Sequence, residues 1–393
     1  MILPEDSTKY IKKEILEILT DGGFDRIGEA LQILINAAML AEREKYIGAG
    51  HYERTESRSG HANGFKPKTM KTRVGEIPLA VPQTRDGKFY PSCLEKGQRS
   101  EKALRLAVAE MYLQGVSTRK VMKITEELCG FEISSSSVSK ATAELDGLFK
   151  GWRERPLGCY PYVYLDARYE NVREGGVVID QAVLVAVGVS EDGKRAVLGV
   201  SVELSEAEVH WRKFLQSLQQ RGLHGIELFI SDDHEGLKAA RKAVFSGVPW
   251  QRCQYHLQQN AQKYVPKEDM KEQAAADIRA VFHAQDGKEA ERLLTKVVAS
   301  YEKSAPRLSA WMAESLPEGM TVFAFPAKHR TRIRTTNGVE RLNREIKRRT
   351  RVVSIFPNAA SCLRLVTAVV METSEDWQSD NVYLSFGKPI DHG

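Results

Sequence analysis

Cysteine is scarce in this 393-residue chain, and its five copies (Cys93, Cys129, Cys159, Cys253 and Cys362) are scattered, odd in number and never spaced as C-x-x-C. That pattern speaks against a disulfide framework and a structural zinc cluster, and it fits a reducing compartment. Long apolar runs are missing as well: no eighteen consecutive apolar residues occur, and the opening MILPEDSTKYIKKEILEIL is interrupted by charge. Neither a membrane span nor a secretory signal is expected, and the cytoplasm is the expected location. Net positive charge is lacking over most of the chain. The net charge is +5, yet residues 328–351 hold ten Lys/Arg against two Glu, so the remainder carries about −3. Charge concentrated in this way is an electrostatic footprint for polyphosphate.

What is present divides by pattern. At this length two or three domains are expected, and a hydrophobic content of 42% is ample for their cores. Residues 7–46 repeat apolar positions with a helical period (Ile11, Ile15, Ile18; Leu31, Leu34), which predicts two helices whose apolar faces need a partner in this chain or another copy. Gly, Pro and Asn then punctuate short β-prone runs between Gly60 and Pro91, the signature of a small basic hairpin. Residues 100–150 return to helices: one stops at Gly115, a second is capped by Ser117, and a third opens on SSSSVSKATAELDGLF with a serine-rich cap. Three short helices with tight turns fit either a helix-turn-helix module or a bundle that reads nothing.

YPYVYLDARY, VVIDQAVLVAVGV and AVLGVSVEL predict three antiparallel strands over 160–203, followed by a helix at 206–221, a buried strand at 226–231 and a helix near 234–245. That order is α/β with a mixed sheet. Residues 267–316 read as wholly helical and resemble an insertion into the sheet domain. The chain as a whole is a multidomain α+β protein. Its expected parts are N-terminal helices (1–55), the basic hairpin region (56–98), the helix-turn-helix-like region (99–155), a first part of the core (156–264), the helical insertion (265–327) and the completion of the core (328–393).

Three carboxylates stand out. Asp166 lies in an otherwise apolar and aromatic strand, and Asp232 follows a buried strand at its carboxyl end, where open α/β sheets place ligands. The bland readings are a turn hydrogen bond for Asp166 and a helix cap for Asp232, a role Asp233 can also fill. Metal-assisted phosphoryl transfer needs hard oxygen ligands, and two strand acids usually want a third from a helix packed on the sheet. Glu340, in RTTNGVERLNREIKRRTR, is the candidate, but NGVE is also a good capping box, and the residues alone leave those readings balanced. Glu345 differs, because Arg341 and Arg349 flank it at helical spacing and satisfy it at the surface. Arg341, Arg344 and Arg348 form a basic stripe, while Glu340 shares a flank with Asn343 and Lys347. In WQRCQYH, Cys253 and His256 sit a helical turn apart, but no second Cys/His pair is near enough to complete a zinc site.

SDDHEGLKAA, WQRCQYHLQQN and RTTNGVERLNREIKRRTR followed by FPN together resemble the bacterial insertion-sequence transposases of the Mutator type, three-carboxylate (DDE) recombinases with an RNase H-like catalytic core. GHANGFKPKTMKTRVGEIPLAVPQTRDGKF is similar to the family's N-terminal pattern, so the resemblance covers nearly the whole chain. It implies a DNA transposase that binds terminal inverted repeats and catalyses strand cleavage and 3′-OH strand transfer. It further implies Asp166, Asp232 and Glu340 as catalytic metal ligands for two Mg²⁺ (or Mn²⁺) ions, and Cys253 and His256 as a C-x-x-H signature beside the active site. Arg341, Arg344, Lys347 and Arg348 would contact DNA, and two copies would pair across two ends. One departure concerns Asp233, where the family usually has a small residue, so Asp233 is a contender for the metal role. The rivals are a nuclease of the same fold without strand transfer and a domesticated DNA-binding regulator.

Overall fold

The N-terminal periodicity resolves into α1 (Glu5–Gly22) and α2 (Ile27–Ile47), followed by an antiparallel hairpin of β1 (Ala62–Thr72) and β2 (Gly75–Thr84). Alternation on β2 buries Ile77, Leu79 and Val81 against Met39 of α2 and Leu94, and Asn36 of α2 accepts the Ala80 backbone N–H at 3.0 Å. The apolar face of α2 thus finds its partner within the chain. On α1, by contrast, Tyr10, Leu16 and Leu19 remain exposed. The next helices are α3 (Lys102–Leu113), α4 (Thr118–Cys129) and α5 (Ser135–Ala143). Ser117 accepts from the Lys120 N–H at 3.3 Å and Ser134 from the Ser137 N–H at 3.2 Å, so two of the three starts are side-chain capped.

This computed structural model describes residues 5–50, 53–379 and 382–386, and it separates into two compact units, Met1–Glu144 and Leu145–Gly393. The third helix expected from SSSSVSKATAELDGLF is two helices, because α5 ends at Ala143 and α6 (Asp146–Glu154) opens the second unit.

The second unit is built on a five-stranded sheet. A meander of β3 (Tyr162–Glu174), β4 (Val177–Val189) and β5 (Arg195–Glu203) leads through α7 (Glu208–Gln220) to β6 (Leu228–Ser231), then through α8 (Glu235–Val244) to β7 (Trp250–Arg252). The strand order is β5-β4-β3-β6-β7, with β3 antiparallel to β4 and parallel to β6, and β6 parallel to β7. The three-residue strand β7, hidden in WQRCQYH, is too short to have shown a period. The remaining helices are α9 (Gln254–Ala261), α10 (Lys271–Phe282), α11 (Gly287–Tyr301), α12 (Pro306–Ser315), α13 (Ala327–Ile333), α14 (Asn337–Thr350) and α15 (Ala359–Ser379). The start of α6 is anchored on α15, where Arg364 holds Asp146 with two hydrogen bonds of 2.6 and 2.7 Å.

Strand parity decides what β3 does on each face. Val163 and Leu165 point into a core shared with Trp211, Phe214, Leu215 and Leu218 of α7, all buried. Tyr162, Tyr164, Asp166, Arg168 and Glu170 have the opposite parity and meet α13 and α14: Tyr162 Oη lies 2.8 Å from His329 Nδ1, Tyr164 Oη donates to the Arg332 carbonyl at 3.1 Å, and Thr350 Oγ1 donates to Glu170 at 3.0 Å. The polar alternation of YVYLDARYE is therefore the seam for the C-terminal helices. Helices α10–α12 pack a separate core with Leu257 and Ala261 of α9. The buried Gln251 of β7 ties this block to the sheet, donating to the Gly319 carbonyl at 2.8 Å and accepting from the Val322 N–H at 2.7 Å. A Cβ on Gly319 would meet the Leu257 side chain at 2.5 Å and that of Phe282 at 3.0 Å, so a larger residue there would have to push these two core side chains aside.

Candidate active site

Asp166 sits in the middle of β3, not at a strand end, so the turn reading does not hold. Its neighbour β6 stops at Ser231, and the parallel register Tyr164↔Ile230, carried two residues on, brings Asp166 level with Asp232. Two carboxylates side by side, Asp166 within β3 and Asp232 just past the carboxyl end of its parallel neighbour β6, follow from that register alone. Asp166 Oδ1 accepts the Ala167 N–H at 2.9 Å, and its Oδ2 accepts from Asn343 Nδ2 of α14 at 2.7 Å. Burial pushes the Asp166 carboxyl up to about 7; Asp232 and Glu206 push the same way, while the Ala167 hydrogen bond and His256 oppose them.

The third acid arrives on the first turn of α14. The NGVE capping box does not form: the helix begins at Asn337, Thr336 is the cap residue, and no side chain caps it. The Glu340 N–H bonds instead to the Thr336 carbonyl at 3.0 Å, which moves the helix start one residue earlier than the box requires. The Glu340 carboxylate keeps only a long hydrogen bond from Thr336 Oγ1, at 3.5 Å, and faces Cys253 and His256. Ligand atoms of Glu340, Cys253 and His256 all lie within 4.8 Å of one another, and His256 Nδ1 stands 3.8 Å from Asp232 Oδ2. His256 therefore links the strand acid to the helix acid.

Cys253 is fully buried where β7 gives way to α9, held by its N–H bond to the Ser231 carbonyl at 2.8 Å. Burial alone would raise its thiol, but hydrogen bonds from His256 and from Thr336 outweigh that and hold it below the ordinary value. The hydrogen bond to Cys253 pushes His256 up to about 9, against desolvation and with help from Cys253, Asp232 and Glu340. The C-x-x-H pair thus places a cationic imidazole among acids.

Asp233 turns elsewhere. Its oxygens lie 2.6 Å from Lys238 Nζ and 2.9 Å from Arg252 Nη1, and both cations also reach Glu318 at 3.1 and 2.9 Å. It does not cap α8, whose cap residue is His234. Glu345 bonds to Arg348 at 2.7 and 2.9 Å and to Arg349 at 3.1 Å, so its partners are the arginines that follow it and not Arg341. Arg341, Arg344 and Lys347 are exposed without a carboxylate partner among the described residues.

Residue-by-residue reading overlooked Asn343, although it shares the flank of Glu340, and Arg168, whose guanidinium donates to the Asn343 carbonyl and pairs with Glu170 at 2.7 Å. Their signals were present: one helical turn after Glu340 in one case, and the parity of Asp166 in the other.

The family model described as "Transposase, Mutator family" matches residues 4–380. The chain is 56% identical to the transposase for insertion sequence element IS406 of Burkholderia multivorans, over 94% of this chain and 95% of that one. It is 43% identical to the transposase of ISRM5 from Rhizobium meliloti (94% and 92% covered) and 39% identical to that of IS256 in transposon Tn4001 from Staphylococcus aureus (91% and 93% covered). The chain belongs to the Mutator family of transposases.

A divalent metal is what such a transposase implies, and the donor chemistry of this Mutator-family chain fits one. Asp232 Oδ1 and Asn343 Oδ1 are buried acceptors with no hydrogen-bond donor among the described residues, beside a carboxylate whose charge burial disfavours. Hard oxygens lacking donors are the environment a small divalent cation satisfies. No helix among the described residues is long and apolar enough to cross a membrane.

Proposed function

We propose that this chain is a DNA transposase that binds the terminal inverted repeats of its own mobile element, cleaves a strand to free a 3′-OH and joins that end to another phosphodiester in target DNA. The observation that carries the reading is the level register of Asp166 and Asp232 on parallel strands, with Glu340 brought to the same place through His256. A meander followed by two parallel strands, interrupted by the helical block α10–α12, supports an RNase H-like core with an insertion. The capped helices α4 and α5 support end recognition by the helix-turn-helix-like region, and the exposed apolar residues of α1 support pairing of two copies. The free cysteines suit a cytoplasmic site of action.

Asp166, Asp232 and Glu340 would hold two divalent ions, Mg²⁺ or Mn²⁺, whose chemistry when bound is to activate the attacking oxygen and neutralise charge on the leaving one. Asn343 fixes the rotamer of Asp166 by its 2.7 Å hydrogen bond, and Arg168 fixes Asn343 in turn. His256, cationic at neutral pH, offsets repulsion between Asp232 and Glu340. Arg341, Arg344 and Lys347 neutralise DNA phosphates, and Arg348 joins them by exchanging Glu345 for a phosphate oxygen.

The test uses pre-nicked ends with an exposed 3′-OH and a target duplex. Joined products that disappear in Asp166→Asn, with end binding retained, are expected. Hydrolysis without joining would replace the reading with a nuclease, and unchanged cleavage in the variant would remove the metal role.

A further inference from the structure

Between α14 and α15 lies an open cavity of about 500 Å³ whose walls include Arg195, Arg341, Arg344, Arg348 and Trp377. Two acids on its wall are already engaged, Glu345 with Arg348 and Arg349, and Glu372 with Arg349 at 2.9 Å; Asp376 is exposed at the rim. Arg195, from the first position of β5, is the partly buried residue among the unpaired cations. Its guanidinium lies 4.1 Å from the ring centroid of Trp377 and 4.4 Å from that of Tyr383, while Arg332 approaches Tyr383 at 4.7 Å. No carboxylate pairs with Arg195, Arg332 or Arg341 among the described residues. Burial, with Arg341 and Arg332 adding like charge, draws Arg195 below its ordinary value.

A cation withdrawn from water and set against like charges destabilises the fold unless an anion joins it, and two aromatic faces recover only part of the loss. Arginine is also the side chain whose planar fork suits phosphate oxygens. The pocket adjoins the candidate active site: a Cβ at Gly338, two residues before Glu340, would sit 3.6 Å from Arg195 Nη1.

We propose that this pocket seats one backbone phosphate of the DNA end, with Arg195 and Arg341 on its wall and Arg332, which shares the Tyr383 ring with Arg195, next to that wall. The proposal rests on the DNA-cleaving reading above and extends it from the exposed stripe of α14 to a cavity walled in part by Trp377. A phosphate held there lies next to the first turn of α14, so the seat fixes the DNA segment that runs past Glu340.

The deciding variant is Arg195→Met, which keeps an unbranched stem over Trp377 and deletes the charge. Binding of a duplex carrying the element end is measured across a salt series, together with the thermal midpoint of the DNA-free protein. One lost phosphate contact lowers the slope of log affinity against log salt by about 1, and relief of the unpaired charge raises the midpoint by about 2 °C. Arg195→Lys should keep the wild-type slope. An unchanged slope with a lowered midpoint in Arg195→Met would make Arg195 a packing residue and overturn the proposal. The exposed Arg332→Ala, which perturbs packing least, provides a second measurement, and an unchanged slope there counts against the seat equally. Inorganic phosphate separates the sources: if it raises the midpoint of the wild type alone while both variants keep the DNA slope, the seat serves a free anion and the DNA claim fails. Absence of salt-dependent DNA binding by the wild type would instead remove the transposase reading on which the pocket depends.

Discussion

Two acidic clusters flank the carboxyl end of β6, one residue apart in sequence and opposite in electrostatic state. Asp233 is saturated, sharing Lys238, Arg252 and Glu318 in a four-membered network. Asp232 has one buried oxygen with no donor among the described residues, and its nearby partner Asp166 is pushed up to about 7 by burial. The first cluster is what a fold does with charge when stability is the purpose. The second gathers three carboxylates around one cation, His256, an imbalance that persists only where something outside the chain completes it. The arginine pocket beside α14 is the same situation with the sign reversed.

The sharpest way to break the comparison is to neutralise each aspartate separately. Asp232→Asn should bring strand cleavage below detection while the thermal midpoint of the metal-free protein changes little, because Asp232 is 43% exposed and gives up only the 3.8 Å approach of His256. Asp233→Asn should act in the opposite way. It leaves Arg252, only 5% exposed, with Glu318 alone and should cost about 2 kcal/mol, less than a wholly buried pair because Asp233 keeps 26% exposure. Cleavage by Asp233→Asn, assayed well below its midpoint, should persist. Loss of cleavage there, at full stability, would return Asp233 to the metal role.

Much of this contrast was legible in the sequence, and the exceptions share a cause. The strands β3–β6, the caps at Ser117 and Ser134 and the acids at 166 and 232 follow from periods and turn chemistry acting over a few residues. What escaped depends on side chains that meet across the fold. Asn343 is an ordinary helix residue until β3 brings Asp166 to it, and Arg252 is an ordinary strand residue until Glu318 returns from the helical block. β7 was hidden because three residues cannot display alternation. The capping box misled for a related reason: NGVE satisfies the local rule, but Thr336, held to Cys253 Sγ at 3.4 Å, starts the helix one residue early.

A pH series sharpens the comparison without mutation. The Asp166 carboxyl is raised in the fold from its ordinary 3.8 to about 7, so the metal-free protein is favoured below 3.8 and loses that contribution as pH rises through about 7. A divalent ion competes with the same proton, so affinity for Mg²⁺ should fall roughly tenfold for each pH unit below about 7 and level off above it. His256, pushed up to about 9, stays cationic across that window, which leaves Asp166 as the titrating partner. Calorimetric Mg²⁺ titration at several pH values gives the curve, and a flat one would mean that Asp166 does not ligate. Asp233→Asn should leave it unmoved.

The smallest effect belongs to the other glutamate of α14. Glu340 faces Cys253 and His256, whereas Glu345 faces Arg348 and Arg349 on the outer side of the same helix. Arg348 is well exposed, and Arg349 keeps Glu372 at 2.9 Å when Glu345 is neutralised. Glu345→Gln should therefore cost less than about 1 kcal/mol and leave the cleavage rate unchanged. It also frees Arg348 for phosphate, so affinity for end DNA should rise slightly at low salt and converge with wild type as salt increases. A loss of cleavage comparable to that of Glu340→Gln would erase the distinction between the two faces of α14. A salt-independent change in DNA affinity would place Arg348 outside the phosphate-binding stripe.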